Sequence, residues 1–440
     1  MSSGPLMHGV NSAVMSAKKL ETVTGKENLG RTGKMTYKGI EYMRNKLNSK
    51  KRRVSTRYDF YEMKNITFDF GISTPPDLKN WMSCLGWCGT AVDSLADRLV
   101  FRDFKDDIFE IDEIFKKNNK DVMLDSAILS ALIASCSFVY ISEDETGYPR
   151  LQVLNADSAT GVIDPYTGML REGYAVLERD EHGNPILEAW FIAGRTDYFR
   201  EGKAVATYTN KAPYPLLVPI IHRADARRPF GRSKISRACM SIQGSAIRTI
   251  KRSEIAAEFY SYPQKYIAGL AKDVEMDKWK ASMSSLITIS KDEDGDVPHF
   301  GQFQQQTMQP HTEQLRMFAS LFAGEAGLTL DDLGFATENP SSAEAIKAAH
   351  ENLRLSARKA QRTFSSGFRN VAFLSACLRD DFKYDRSAFC DLEPVWHPIF
   401  EPDAAMLSSI GDGTIKINQA VPDYFNSNNL EELTGIKKGE

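Results

Sequence analysis

Apolar and small residues alternate at intervals of four and three positions through the stretch 342–380. This spacing places them on one narrow stripe of an α-helix. Ser341, followed three positions later by Glu344, fits a capping box, and Pro340 disfavours helical backbone at the residue before it. We therefore predict one unbroken helix over 342–380, roughly 58 Å long at a rise of 1.5 Å per residue. The stripe consists of Ile346, His350, Leu353, Ala357, Ala360, Phe364, Gly367, Val371, Leu374 and Leu378.

Two further helices with apolar sides flank a compact insert. The first is predicted over 231–262, where Pro263 ends it, and the second over 309–325. Because the insert shows both strand and helix patterns, we predict a small α/β element between the two helices. Its patterns are strands at 266–268 and 286–290 and a helix at 276–283.

The N-terminal half combines helical patterns with a region of period two. Between Phe138 and Thr209, alternating residues and repeated turn sequences predict an antiparallel meander, which Pro213, Pro215 and Pro219 end. The chain is therefore predicted to be an α+β protein, preceded by a mobile arm over 1–34. The helical patterns cover 37–61, 81–99, 108–117 and 122–135.

Composition and charge limit the classes of function. A chain of 440 residues exceeds the size of a single core, and its net charge of −3 argues against a broad nucleic-acid-binding surface. The helix over 37–61 has a basic C-terminal end, for which a local nucleic-acid patch is the alternative interpretation.

Six scattered cysteines indicate reduced, mostly buried thiols. The longest uncharged run, 126–142, is short for a membrane span, so no membrane association is expected.

The sequence offers little catalytic chemistry. No phosphate-binding loop, paired histidine ligands or nucleophile motif occurs. The acidic run 292–296 fails as a calcium loop because Val297 stands where that loop needs glycine. We therefore predict no catalytic, cofactor-binding or metal-binding residues and no enzymatic activity. A metal-dependent DNA nuclease that uses Asp292, Asp294 and Asp296 remains the alternative.

Four segments, in this order along the chain, resemble the portal proteins of tailed double-stranded-DNA bacteriophages, in particular the siphophage type. They are RYDFY at 57–61, VDSLADRL at 92–99, VPII at 218–221 and NPSSAEAIK at 339–347. The resemblance covers about 37–391. None of these segments is a catalytic signature, so the similarity depends on their combination and order.

The resemblance implies a portal fold, a ring of twelve copies at one capsid vertex, and roles for each part of the chain. Double-stranded DNA would pass through the ring without sequence specificity. The implied partners are the terminase large subunit, the major capsid and scaffolding proteins and a head-completion adaptor, with synthesis in the host cytoplasm and a final place in the virion. The implied parts are a wing (35–232), stem helix 1 (233–262), a clip (263–308), stem helix 2 (309–325), a tunnel loop (326–341), a long wing helix (342–380) and a wing or short crown tail (381–440).

The resemblance also assigns candidate residues to the channel and its docking end. The tunnel loop contributes acidic residues but no Lys or Arg, which suits sliding DNA because tight phosphate contacts would hold it. The tunnel-loop candidates are Asp331, Asp332, Phe335, Glu338 and Asn339. The stem-lining candidates are Arg237, Arg248, Lys251 and Arg252. The clip-interface candidates are Lys272, Asp273, Asp294 and Asp296.

Simple packing geometry agrees with a ring of about twelve. Twelve helices side by side at about 10 Å spacing leave roughly 28 Å clear inside, enough for a duplex. Six helices leave only about 9 Å. A capsid adaptor without a channel is a further alternative.

Overall fold

The computed structural model describes residues 37–65, 82–261, 265–268, 299–302, 307–335, 343–400, 402 and 404–436. The predicted arm over 1–34, the helix over 276–283 and the strand over 286–290 lie outside this part of the chain. The chain divides into two compact units. The first comprises Met1–Asn65, Gly86–Met240 and Ala323–Glu440, and the second Ile66–Leu85 and Ser241–Phe322. The α+β class predicted from the sequence is confirmed.

The first unit begins with a helical layer whose boundaries differ from the predicted ones. The helix predicted from residue 108 begins at Ile111, because the Asp107 carboxylate accepts the backbone N–H groups of Ile111 and Asp112 at 2.9 and 2.8 Å. The helix predicted over 81–99 is also shorter, and the chain then forms a strand that was not predicted. The elements are α1 (Ile40–Tyr61), α2 (Trp87–Ala96), β1 (Phe101–Lys105), α3 (Ile111–Lys117) and α4 (Lys120–Ala134).

Two antiparallel sheets replace the single predicted meander. A three-stranded sheet has the order β3-β2-β9, and a five-stranded sheet follows chain order from β4 to β8. Pro219 does not end the β region but lies in the edge strand β9 opposite Phe138, where a missing N–H is tolerated. The strands are β2 (Cys136–Glu143), β3 (Pro149–Asn155), β4 (Ala159–Ile163), β5 (Leu170–Arg179), β6 (Pro185–Ile192), β7 (Arg195–Arg200), β8 (Lys203–Thr209) and β9 (Leu217–Ile221).

Helix α1 packs on the five-stranded sheet. Its apolar side, through Met43 and Leu47, forms a buried cluster with Tyr174 and Val176 of β5. The carboxylate of Glu172 accepts the backbone N–H groups of Lys38 and Gly39 at 2.8 and 3.2 Å, which satisfies donors just before the helix. Buried contacts and a buried acid together fix the start of α1 on the sheet.

The two helices that flank the insert are α5 (Arg237–Ser261) and α6 (Gln309–Ala326). The first was predicted from residue 231, but Ser236 Oγ accepts the N–H of Cys239 at 3.1 Å and so caps the helix later. In the second unit, Thr249 Oγ1 of α5 is hydrogen-bonded to Gln314 Oε1 of α6 at 3.0 Å. Of the insert, the structure describes one antiparallel pair, β10 (Lys265–Ala268) and β11 (His299–Gln302).

The prediction of an unbroken helix over 342–380 is wrong. The chain forms α7 (Ala343–Ala349) and α8 (Glu351–Arg379), with His350 between them at φ −91° and ψ 10°. The predicted stripe is buried from Leu353 to Leu378, whereas Ile346 is 49 % exposed. The capping serine Ser341 lies outside the described residues.

The last turns of α8 are more deeply buried than a single stripe requires. From residue 370 to Leu378 every residue is buried, because the helix packs against β9 and against the C-terminal strand β12 (Glu393–Trp396). Gly367 allows the close approach to β9, since a Cβ there would lie 2.8 Å from Ile220 Cδ1. β12 pairs with β1, and α9 (Ala404–Ala420) and α10 (Ser427–Thr434) follow it.

Candidate functional site

The predicted stem-lining residues are all on α5. Arg237 and Arg252 are exposed, whereas Arg248 and Lys251 are half-buried. Arg237 belongs to the first unit and the other three to the second. On α6, Met317 and Leu321 are 50 and 54 % exposed, an apolar exposure that the sequence pattern did not indicate.

Of the tunnel loop predicted over 326–341, the structure describes Ala326 to Phe335, which belong to the first unit. Asp332 accepts hydrogen bonds from the backbone N–H and Oγ1 of Thr329 at 2.8 and 2.9 Å, and His350 Nε2 lies 3.3 Å from its other oxygen. Phe335 packs edge-to-face on Trp87. Asp331 is exposed.

Hydrogen bonds also favour the ionised form of Asp332 in the tunnel loop. Burial works to raise the pKa of Asp332, but the bonds from Thr329 and His350 outweigh it, so the pKa is lowered. Asp332 and His350 therefore join the loop to the junction between α7 and α8. The remaining tunnel-loop candidates, Glu338 and Asn339, lie outside the described residues, as do the clip candidates Lys272, Asp273, Asp294 and Asp296.

The loop between β9 and α5 carries a charge cluster that sequence reasoning missed. Asp225 Oδ1 accepts the N–H groups of Arg227 and Arg228 at 2.9 and 2.8 Å, and Asp225 Oδ2 pairs with Arg232 at 2.6 Å. Gly231 has φ +71°, and a Cβ there would lie 2.0 Å from the backbone oxygen of His222, so the turn requires glycine. The signal in the sequence is a run of six cations against one acid, namely Arg223, Arg227, Arg228, Arg232, Lys234 and Arg237 against Asp225.

The basic end of α1 adjoins this loop. The Nζ atoms of Lys46 and Lys50 lie 5.1 and 4.7 Å from the centre of the Phe230 ring, within cation–π range. Burial, and next the charges of Lys50 and Lys38, lower the pKa of Lys46 to about 8. We call the group Lys46, Lys50, Arg53, Arg57, Arg228 and Arg237 the basic surface.

The positive charges of the basic surface lie close enough together to repel one another. The pKa of Arg57 is lowered to about 10, first by burial and then by the charges of Arg53, Arg228 and Arg237. Such an arrangement favours an anionic partner, since each bound anion relieves repulsion. The surface includes Arg237, one of the predicted stem-lining residues.

The described residues contain no group of three or more His, Cys, Asp and Glu side chains that could hold a metal ion. The acids of the alternative nuclease site, Asp292, Asp294 and Asp296, lie outside them. All six cysteines are free, and four of them are buried, as predicted. Within the described part of the chain, none of the helices has the length and apolar character needed to cross a membrane.

Comparison with known proteins gives two relatives of the same kind. The chain is 25 % identical to the portal protein of Mycobacterium phage D29 over 321 residues, which are 67 % of this chain and 65 % of that protein. It is 24 % identical to the portal protein of Mycobacterium phage L5 over 326 residues, which are 68 % of this chain and 66 % of that protein. The aligned region thus spans slightly less than two thirds of each relative's length. No protein-family model matches the chain.

These alignments confirm the predicted resemblance: the chain is similar to the portal proteins of two mycobacteriophages. Among solved structures, a chain from the neck of a native gene transfer agent particle, computed with C12 symmetry, has a TM-score of 0.44 at 14 % identity. That match covers 88 % of this chain and 100 % of the other. A chain from the virion of the native particle has a TM-score of 0.43 at 13 % identity, covering 80 % of this chain and 90 % of the other.

Proposed function

We propose that this chain is the portal subunit of a tailed bacteriophage, which forms a ring of twelve copies at one capsid vertex and provides the channel for genome packaging and ejection. The observation that carries the proposal is the alignment with two portal proteins over about two thirds of the chain. In this role the protein is synthesised in the host cytoplasm and becomes part of the virion.

The helices around the insert support a division into parts. Residues 35–232 are assigned to the wing, 233–262 and 309–325 to the stem helices, and 263–308 to the clip. The hydrogen bond between Thr249 and Gln314 joins the two helices side by side, as paired rods in a channel wall require. Helix α5 has 25 residues and is therefore roughly 37 Å long, enough to line a channel segment.

The tunnel-loop residues divide into two roles in this proposal. Asp332 and Phe335 have partners at His350 and Trp87, so we assign them to holding the base of the loop. Asp331, which is exposed, is assigned with Glu338 and Asn339 to the side that faces DNA. The stem candidates Arg237, Arg248, Lys251 and Arg252 are proposed to line the channel.

The proposed partners follow from the same role. The clip, through Lys272, Asp273, Asp294 and Asp296, would meet the terminase large subunit during packaging and a head-completion adaptor afterwards. The wing would contact the major capsid and scaffolding proteins. We propose no enzymatic activity, and incubation with plasmid DNA and Mg²⁺ tests this, since cleavage that Asp294→Ala abolishes would contradict it.

The decisive experiment is the mass and shape of the purified assembly. Twelve copies of a 49.3 kDa chain make about 590 kDa, which native mass spectrometry resolves from other ring numbers. Class averages by electron microscopy are expected to show rings with a central hole. A chain that stays monomeric at every concentration and salt condition, and in the presence of scaffolding protein, would contradict the proposal.

A further inference from the structure

A cavity of about 510 Å³ lies within the first unit, and none of the residues that line it is one of the named tunnel-loop or stem-lining candidates. It is bounded by the loop between β9 and α5, by the C-terminal end of α6 and by the first turns of α8. Four cations line it, namely Arg223, Arg232, Lys234 and Lys359, against the single acid Glu325. We call it the basic cavity.

Lys234 forms the buried part of the basic cavity. Its residue is only 8 % exposed, and its Nζ donates to the backbone oxygen of Ala326 at 2.7 Å. This contact places a cation at the C-terminal end of α6, which the helix dipole favours. An ammonium group has three donors, so this bond leaves donors for a further acceptor.

The acids around the basic cavity neutralise only part of its positive charge. Arg232 pairs with Asp225, and Glu325 accepts the hydroxyl of Ser236 at 2.7 Å. Within the described part of the chain, the side chains of Arg223 and Lys359 have no acidic partner. The cavity therefore keeps excess positive charge beside a buried lysine.

Three cations of the basic cavity lie close enough to the buried His222 to act on its charge. Besides burial, the charges of Arg223, Lys234 and Lys359 all lower the pKa of His222. Arg223 also has a left-handed backbone with φ 51°, which is uncommon for a residue other than glycine and is typical of functional or tightly constrained positions. The loop thus holds several cations in one place despite their repulsion.

We propose that the basic cavity binds a phosphoryl oxyanion, either free phosphate or a phosphate of the DNA backbone. Besides the four cations, Asn352 and Ser356 bring side-chain donors to the lining, whereas the hydroxyls of Ser233 and Ser236 already donate to Ile133 and Glu325. Two guanidinium groups and two ammonium groups suit an anion with several oxygens and more than one negative charge better than a carboxylate. Binding relieves the repulsion between Arg223 and Lys234.

The test measures anion affinity of the full chain by calorimetry at constant ionic strength, with inorganic phosphate, a short DNA duplex and acetate as probes. The variant Arg223→Gln with Lys359→Gln changes two exposed residues and leaves the fold intact. We expect it to weaken phosphate binding at least about tenfold, since each charge-assisted hydrogen bond lost is worth about that factor. Lys203→Gln, which changes an exposed lysine at the start of β8, serves as the control and keeps wild-type affinity.

The outcomes separate the two sources of phosphate. Loss of affinity for both phosphate and duplex in the double variant assigns the site to the DNA backbone, whereas loss for phosphate alone assigns it to the free ion. The proposal is overturned if the wild-type chain binds phosphate no better than acetate, or if the double variant binds it as well as the control. Native mass of the same samples reports ring formation separately, so failure of this site is distinguishable from failure of the portal assignment.

Discussion

A second buried carboxylate, besides Glu172, joins α1 to the five-stranded sheet. Glu188 of β6 is 4 % exposed and receives Arg44 Nε and Nη2 at 3.0 and 2.6 Å, together with the hydroxyl of Tyr174. This two-point contact is the geometry in which an arginine best compensates a buried acid. The charge of Glu188 is therefore tolerated inside the molecule only while Arg44 is present.

We expect Arg44→Ala to lower the free energy of unfolding by about 3 kcal/mol, because removing one partner leaves a buried charge uncompensated. Denaturant unfolding followed by circular dichroism measures the change. Arg52→Ala is the control, since Arg52 is exposed on the same helix. Equal effects of the two substitutions would show that the contact with Glu188 does not stabilise the fold.

His222 makes stability depend on pH. Burial is the main reason why the pKa of His222 is lowered from 6.5 to about 3. The ring Nδ1–H donates to the backbone oxygen of Arg232 at 2.7 Å. Above the ordinary pKa, both folded and unfolded His222 are neutral. Below it the unfolded chain takes up a proton that the folded chain does not, so stability falls as the pH falls.

We expect the wild-type chain to lose about 2 kcal/mol of this contribution between pH 7.5 and pH 5. His222→Gln removes the titrating group and flattens the pH dependence of unfolding by that amount. His182→Gln, at an exposed turn, leaves it unchanged. If His222→Gln and the wild-type chain show the same slope, His222 is not the group responsible.

At the scale of elements, the sequence predicts best where the pattern is long and local. The helices α1 and α6 and the buried part of α8 follow apolar periodicity that needs no knowledge of the rest of the chain. The strands β4 and β7, with the sequences ATGVI and RTDYFR, lack the strict alternation of apolar and polar residues that identifies a half-buried strand. Strand β1 depends on pairing with β12, which lies almost three hundred positions later.

The break at His350 shows why a helix boundary escaped prediction. The stripe pattern continues through His350, but its ring contacts Asp332 in the loop before the helix and the backbone oxygen of Ile346. Only the fold brings Asp332 to this position. The basic surface could not be predicted from the sequence for the same reason. Lys46 of α1 and Phe230 are brought together only by tertiary packing.

We expect Asp332→Asn to loosen the base of the proposed tunnel loop, because the amide loses the charge that holds Thr329 and His350. Hydrogen exchange of residues 327–335 should become faster, while α8 beyond Leu353 keeps its protection. Asp391→Asn, at an exposed position, is the control. Unchanged exchange in 327–335 would mean that Leu333 and the contact between Phe335 and Trp87 hold the loop without Asp332.

At the scale of the molecule, net charge is a poor guide to local surfaces. The total of −3 argues against a broad basic surface, yet the described residues include two local groups of cations. The basic surface and the basic cavity share the loop between β9 and α5, where six cations occur within fifteen residues, 223–237. A local excess of this kind allows contact with an anion without a broad basic surface.

The C-terminal region closes the first unit through one short strand. β12 pairs with β1, Trp396 Nε1 donates to Ser365 Oγ of α8 at 2.8 Å, and the Trp396 ring packs against Phe101 and Phe368. By contrast, α9 buries none of its residues. The two parts of the tail should therefore contribute very differently to the stability of the fold.

We expect a chain that ends at Pro398 to keep its fold, and a chain that ends at Leu392 to lose roughly 3 kcal/mol or more. The shorter chain lacks the Trp396 ring and exposes Phe101 and Phe368, a loss of the size seen when a large buried aromatic is removed. Thermal unfolding of the two truncated chains beside the full chain measures this. The pair also separates folding from assembly: a chain that ends at Pro398, folds normally and no longer forms rings would place α9 and α10 at the contact between subunits. Equal stability of both truncated chains would contradict a structural role for β12.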